Sequence, residues 1–123
     1  MKKSKKRILV ADDEQDTRNA VKDILQSRGY DVITASNGKD CLKKLKKEKV
    51  NLLVLDIMMP VLDGWQVVRS MKKDKRLRRI PIVVLTVKSG KEDYEMAREA
   101  RIRDYITKPF DMDNLISRVR RNL

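Results

Sequence analysis

The sequence predicts an α/β domain in which five strands alternate with five helices, (βα)5, around one doubly wound parallel sheet. Three observations favour this fold class. Short apolar runs alternate with longer stretches whose apolar residues recur at helical spacing. The runs 52–55 and 82–85 are apolar at every position, as expected for parallel strands buried on both faces. The chain has 123 residues, 41% of them hydrophobic, which is enough for one core.

The first half of the chain contains two predicted strand–helix pairs. The strand Arg7–Ala11 is apolar and runs directly into two aspartates. A helical stripe of apolar residues follows from about Asp16 to Ser27, and Gly29 is placed to end that helix. The remaining elements of this half are a strand at 30–35, a turn at 36–38 and a lysine-rich helix that ends near residue 49.

The second half contains the other three pairs. A buried strand over Val50–Asp56 stops on a carboxylate, and Pro60 with the turn Asp63-Gly64 interrupts the chain before the next helix. The elements predicted for this half are strand 50–56, helix 64–73, strand 81–86, helix 91–100, strand 103–106 and helix 112–122.

The pattern leaves no residues for a second domain. We interpret residues 1–6 as a basic N-terminal tail and residues 7–123 as one domain, since no linker interrupts the alternation. No apolar run approaches the roughly 18 residues of a membrane span, so a cytoplasmic location is expected. The single cysteine, Cys41, lies on an apolar helical stripe and is interpreted as core packing rather than a reactive thiol.

The composition is strongly basic, with a formal net charge of +12. Such a field attracts anionic partners, so we expect a protein partner to dock through an acidic surface. Direct nucleic-acid binding is not favoured, because aromatic residues are only 4% and no helix-turn-helix or zinc-ligand pattern occurs. The chain has no histidine, which excludes histidine-based acid–base catalysis and a phosphohistidine of its own.

Polar side chains end four of the predicted strands. Asp12 and Asp13 follow the first strand, and Asp56 ends the third. Thr86 ends the fourth strand, and Lys108 follows the fifth. Binding sites of open parallel sheets form beyond the carboxyl ends of the strands, so we expect these side chains to converge. Each residue alone has an ordinary structural explanation, such as a helix cap, but their joint occurrence favours a site.

Carboxylates that are brought together repel one another unless a positive charge neutralises them. A divalent cation with oxygen ligands meets that need, and Mg²⁺ fits best because the set contains no soft ligand. Lys108 adds a fixed positive charge and Thr86 adds a hydroxyl donor. This arrangement suits a phosphoryl group, which Asp56 attacks while the other groups hold its oxygens.

Four segments carry a resemblance to a known family: ILVADDE (8–14), LLVLDIMMPVLDG (52–64), IPIVVLT (80–86) and DYITKPF (104–110). With their spacing intact over residues 6–123, the chain resembles the receiver domain of two-component response regulators. The resemblance implies a flavodoxin-like fold whose strands lie in the order 2-1-3-4-5. It also implies a cis peptide bond between Lys108 and Pro109.

The resemblance implies a role for each residue of the site. Asp56 would accept the phosphoryl group, Lys108 would pair with it, and Thr86 would bond to it and shift inward. Tyr105 would change rotamer together with Thr86. The implied Mg²⁺ ligands are Asp13, Asp12 through water, Asp56 and the backbone carbonyl of Met58.

The implied function is that of a phosphoacceptor and not of an enzyme with a separate substrate. A sensor histidine kinase, a histidine phosphotransfer protein or a small phosphodonor would phosphorylate Asp56. A downstream effector would then bind a surface switched around the fourth helix, fifth strand and fifth helix. A monomer, or a weak dimer that depends on phosphorylation, is expected.

Three features depart from the family pattern. Val87 follows Thr86 where a small residue is usual, so narrower phosphoryl access is expected. Met58 and Lys88 flank the path of an attacking water, and the apolar Met58 is expected to lengthen the life of the acyl phosphate. Residues 99–104 lack the usual Gly-Ala, which leaves the output surface undefined.

Three other classes of protein share part of the pattern. A phosphatase with an aspartate nucleophile also uses a strand-end acid, Mg²⁺ and a lysine, but it needs a second aspartate where Met58 stands. A flavin carrier needs a phosphate loop at 12–14, where three acids would instead repel the FMN phosphate. A degenerate receiver would act only as a basic interaction module, yet the acidic set here is complete.

Overall fold

Five strands and five helices alternate along the protein, in a computed structural model that describes residues 5–87, 91–102 and 104–123. The strands are β1 Arg7–Ala11, β2 Asp31–Ala35, β3 Leu52–Asp56, β4 Ile82–Thr86 and β5 Asp104–Thr107. The helices are α1 Gln15–Ser27, α2 Gly38–Lys47, α3 Gly64–Lys73, α4 Lys91–Glu99 and α5 Met112–Arg121. Residues 1–4 of the predicted tail, Lys88, and Arg103 at the predicted start of the fifth strand lie outside the described residues.

The strands form one parallel sheet in the order β2-β1-β3-β4-β5, which confirms the predicted fold class. The chain leaves β1 toward one edge of the sheet and leaves β3 toward the other, so the strand order reverses between them. Ala11 pairs with Leu55 across these two strands. The loops after β1 and β3 therefore begin side by side, at the point where open α/β sheets bind ligands.

Both faces of the sheet are covered by helices. Side chains alternate along the strands, so that Leu9 lies in one core and Ile8 and Val10 lie in the other. The first core packs against α2, α3 and α4 and includes Cys41. Cys41 is fully buried in this core, as predicted, and its burial raises the pKa of the thiol to about 12. The second core packs against α1 and α5.

Helix ends explain where two predicted boundaries differ from the structure. The predicted turn at 36–38 is the start of α2, because the Asn37 side chain accepts a hydrogen bond from the Asp40 N–H at 2.8 Å and caps the helix. The helix then ends at Lys47, since Glu48 has extended backbone angles. Gly29 has a φ of 89°, the left-handed conformation expected after the end of α1.

Strand β3 begins at Leu52 and not at Val50. The Asn51 side chain accepts a hydrogen bond from the Arg7 N–H at 2.8 Å. In a longer β3 strand, that N–H would instead donate to a backbone carbonyl. Strand β4 likewise begins after Pro81, which has no N–H to donate. Within the described residues, no helix combines the length and apolar character that crossing a membrane requires.

Candidate functional site

Strands β1 and β3 end in two buried carboxylates at the switch point of the sheet. Asp12 is 1% exposed and Asp56 is 4% exposed, whereas Asp13 is exposed to solvent. One carboxylate oxygen of each of these three residues lies within 4.8 Å of the other two. We call Asp12, Asp13 and Asp56 the acidic cluster. The structure thus brings together all three acids that the sequence singles out.

Lys108 reaches the acidic cluster from the loop after β5. Its Nζ donates to Asp12 Oδ2 at 2.8 Å and lies 3.6 Å from Asp56 Oδ2. The Lys108 backbone N–H donates to the Thr86 carbonyl at 2.7 Å, and the Lys108-Pro109 peptide bond is cis, as the resemblance implies. Burial alone would lower the pKa of Lys108, but its hydrogen bond and ion pair with Asp12 raise it instead. The amine therefore stays charged.

The surroundings of Asp56 disfavour its ionised form. Burial, followed by the charge of Asp12, raises the pKa of Asp56 to about 6. Lys108 and the Met58 N–H oppose that rise, and the N–H donates to Asp56 Oδ1 at 3.1 Å. The ionised form of Asp56 is therefore destabilised by its burial and by repulsion from Asp12, and an added cation would relieve that repulsion.

The loop between β3 and α3 folds back tightly beside Asp56. The Gly64 N–H donates to the Ile57 carbonyl at 2.9 Å, and a Cβ on Gly64 would lie only 2.7 Å from the Asp56 carbonyl oxygen. A glycine is therefore needed for α3 to begin so close to the strand end. Asp63 and Gln66 form a capping box that fixes this start, with both hydrogen bonds at 2.9 Å. The Met58 side chain is 48% exposed in this loop.

The loop between β1 and α1 is held by contacts that the sequence analysis missed. The Glu14 N–H donates to Asp12 Oδ1 at 2.9 Å. Aspartate side chains typically form such a turn by accepting a hydrogen bond from the backbone N–H two residues later. Arg18 Nη1 donates to the Asp12 carbonyl at 2.9 Å. Nothing in the spacing distinguishes Arg18 from the other basic residues of the chain. Together these contacts fix the backbone that presents Asp12 and Asp13.

Thr86 and Tyr105 form a pair beside the acidic cluster. Thr86 is fully buried at the end of β4, next to β3, where Leu85 pairs with Asp56. Burial and the nearby charge of Asp93 raise the pKa of Tyr105, and a hydrogen bond with the Thr86 side chain opposes that rise. Asp93 also accepts a hydrogen bond from Trp65 Nε1 at 3.0 Å. Helix α4 is thereby tied to α3 and lies close to Tyr105.

A 2-1-3-4-5 parallel sheet with a lysine-bridged acidic cluster at its switch point defines a receiver-type α/β domain. A family model described as the response regulator receiver domain matches residues 8–120. The chain belongs to that family and is a receiver domain of two-component signalling.

Relatives and solved structures agree with this assignment. The alkaline phosphatase synthesis transcriptional regulatory protein PhoP of Bacillus subtilis is 42% identical over 115 residues, which cover 94% of this chain and 47% of PhoP. The chain spans about half the length of the relatives it matches. The chemotaxis protein CheY4 of Vibrio cholerae has a TM-score of 0.91 at 28% identity, with 98% of this chain and 100% of CheY4 covered.

A further solved structure is the receiver domain of a sensor histidine kinase from Pseudomonas aeruginosa, described with a magnesium ion coordinated in its active-site cleft. Its TM-score is 0.87 at 27% identity, and the match covers 96% of this chain and 97% of that domain.

Proposed function

We propose that residues 7–123 form a phosphoacceptor domain in which Asp56 accepts a phosphoryl group in a Mg²⁺-dependent reaction. The observation that supports this most strongly is the acidic cluster within 4.8 Å, with Lys108 placed 2.8 Å from Asp12 and 3.6 Å from Asp56. A cluster of like charges around a lysine is costly for a structural role alone, and it suits a cation and a phosphoryl group.

The donor set of the acidic cluster fits Mg²⁺. It offers three carboxylates and neither histidine nor cysteine, and Mg²⁺ prefers oxygen ligands. The exposed Asp13 gives an ion a path from solvent. Asp12, Asp13 and Asp56 would hold the ion with the backbone carbonyl of Met58, and the bound ion would neutralise charge on phosphoryl oxygens. The magnesium ion in the related P. aeruginosa domain supports this choice.

The chemistry assigned to the chain's own residues is a single displacement. An Asp56 carboxylate oxygen forms a bond to the phosphorus of a partner's phosphohistidine, the P–N bond breaks, and the released imidazole nitrogen takes a proton from solvent. With a pKa of about 6, Asp56 is mostly ionised at pH 7 and is ready to attack. Lys108 stays protonated and stabilises the added negative charge, with Thr86 as a hydroxyl donor.

The contact between Thr86 and Tyr105 supports a conformational switch, and the net charge supports a class of partner. Movement of Thr86 toward a phosphoryl group would carry Tyr105 with it, because their side chains share a hydrogen bond. The phosphodonor is a sensor histidine kinase or a histidine phosphotransfer protein. The phosphorylated domain then binds an effector protein whose acidic docking surface complements the +12 charge. The protein acts as a monomer or as a weak dimer that depends on phosphorylation.

The test is incubation with acetyl phosphate and Mg²⁺, followed by intact mass measurement. Wild-type protein is expected to gain one phosphoryl mass, and Asp56→Asn is expected to gain none. Asp23→Asn removes an exposed carboxylate on α1 and serves as the matched control, with modification equal to wild type. Equal modification of Asp56→Asn, or full modification in EDTA, would contradict the proposal.

A further inference from the structure

A cavity lined by cations lies at the amino edge of the sheet, opposite the acidic cluster. Its volume is about 440 Å³. Its cationic side chains come from the end of α3, the α3–β4 loop, the α4–β5 loop and the end of α5: Lys72, Arg78, Arg79, Arg101 and Arg121. None of the described residues that line it is acidic. We call this site the basic cavity.

Among the described residues, most of the charge in the basic cavity is not neutralised. Arg121 pairs with the buried Asp104. The other four cations make no ion pair with any residue in the described part of the chain. Like charges that line one concave surface repel one another, so an anion bound there would be stabilised by all of them together.

Helix ends account for three of these five cations. Lys72 and Arg121 lie in the last turns of α3 and α5, where positive charge complements the helix dipole. Arg101 follows the end of α4, where the same explanation applies, whereas Arg78 and Arg79 lie in the α3–β4 loop, where it does not.

Arg101 occupies a backbone position that favours glycine. Its φ is 58°, and it follows the end of α4, where the Arg101 N–H donates to the Arg98 carbonyl at 3.1 Å and the Ile102 N–H donates to the Ala97 carbonyl at 2.9 Å. This helix ending usually has glycine at the left-handed residue, since other side chains are strained there. An arginine at this position is explained if its guanidinium has a use.

We propose that the basic cavity binds a compact polyphosphate anion, either free or as the phosphate chain of a nucleotide. Four arginines line the cavity, and arginine binds phosphate oxygens in a bidentate manner. The volume is that of a small-molecule site. Ile80 and Ile102 also line the cavity and offer an apolar contact to a nucleoside.

The test is isothermal titration of the protein with tripolyphosphate and, in a second arm, with ATP. EDTA and about 0.15 M NaCl are present, so that the acidic cluster holds no cation and distant charges are screened over about 8 Å. The pocket variant is Arg78→Gln/Arg79→Gln. The matched control is Arg28→Gln/Arg120→Gln, which removes two exposed arginines outside the basic cavity and the same total charge.

Saturable binding that weakens at least about tenfold in the pocket variant, and less than twofold in the control, supports the proposal. Tighter binding of ATP than of tripolyphosphate assigns a nucleotide, and equal or weaker binding of ATP assigns a free phosphate chain. Equal weakening in both variants, or no saturable binding, overturns the proposal. Arg101→Gly gives an independent readout: binding weakens while the thermal midpoint stays unchanged or rises. Unchanged binding, or a fall in both binding and thermal midpoint, would count against the basic cavity as the binding site.

Discussion

Lys108 Nζ and Asp12 Oδ2 lie 2.8 Å apart, although the two residues are 96 positions apart in the sequence. Their side chains are 14% and 1% exposed, so the pair is largely removed from water. Lys108 also lies within 3.6 Å of Asp56 Oδ2. One amine therefore offsets the repulsion between two buried carboxylates before any metal ion binds.

Replacing that amine is expected to destabilise the protein. Lys108→Met leaves buried carboxylates without their cation and should lower the free energy of unfolding by about 2 kcal/mol in EDTA. Urea denaturation at pH 7.5 measures this change. Arg76→Gln is the control, because Arg76 pairs with Asp74 at the surface with 71% of its side chain exposed, and it should have little effect. An equally small effect of both variants would show that Lys108 does not stabilise the acidic cluster.

Removing the Asp56 charge is expected to stabilise the metal-free protein. The pKa of Asp56 is about 6 in the fold against an ordinary value of 3.8, so its ionisation opposes folding as the pH rises from about 4 to above 6. Asp56→Asn should raise the unfolding free energy at pH 7.5 by on the order of 1–2 kcal/mol, and the advantage should vanish below about pH 4. Urea denaturation across this pH range in EDTA tests it, and a pH-independent difference would contradict it.

Asp104 should show the opposite dependence on pH. It is fully buried at the start of β5 and is held by α5, with Arg118 Nη1 at 2.7 Å, Arg121 Nε at 3.1 Å and the Asn122 amide. Burial alone would raise the pKa of Asp104, but these donors lower it. Its contribution to stability is therefore present above about pH 4 and is lost as the pH falls through the lowered pKa.

Asp104→Asn is expected to cost about 2 kcal/mol of unfolding free energy at pH 7. Asp31→Asn serves as the comparison, because Asp31 pairs with Arg7 but is 43% exposed, and it should cost less. Chemical denaturation of the three proteins between about pH 3 and pH 7 gives both values. Equal losses in the two variants would rule out a special role for the buried pair of Asp104 with α5.

The Met58 side chain is expected to protect the acyl phosphate from water. It is 48% exposed two residues after Asp56, and we expect its apolar surface to obstruct the approach of water. Met58→Asn should shorten the lifetime of the phosphorylated state, measured as loss of phosphoryl mass with time. Val61→Asn is the control in the same loop, since Val61 is 84% exposed and has a φ of 70° that asparagine tolerates. Equal lifetimes for wild type and Met58→Asn would contradict the idea.

The sequence predicts the site where the topology alone decides proximity. Asp12, Asp56 and Thr86 end parallel strands, and such ends meet at one edge of a sheet whatever the details of packing. The predicted fold class and the predicted membership of the receiver family are also confirmed. The apolar strands predict the fold class, and the four motifs predict the family.

Contacts that depend on the packing of one element on another were not predictable. The ion pairs of Asp104 join β5 to residues 14 and 17 positions later on α5, and no spacing indicates that the two meet. The link from Trp65 to Asp93 likewise requires α3 and α4 to lie side by side. The basic cavity could not be predicted from the many lysines and arginines of the sequence, because only the fold shows which of them line one concave surface.

The most direct measurement is location of the modified residue. Protein treated with acetyl phosphate and Mg²⁺ is reduced with borohydride, which converts an acyl phosphate on aspartate to homoserine, and peptides are then sequenced by mass spectrometry. We predict homoserine at position 56 alone, dependent on Mg²⁺ and much reduced in Lys108→Met. Homoserine at Asp12 or Asp13, or at no site while the protein remains folded, would contradict the assignment of Asp56 as the phosphoacceptor.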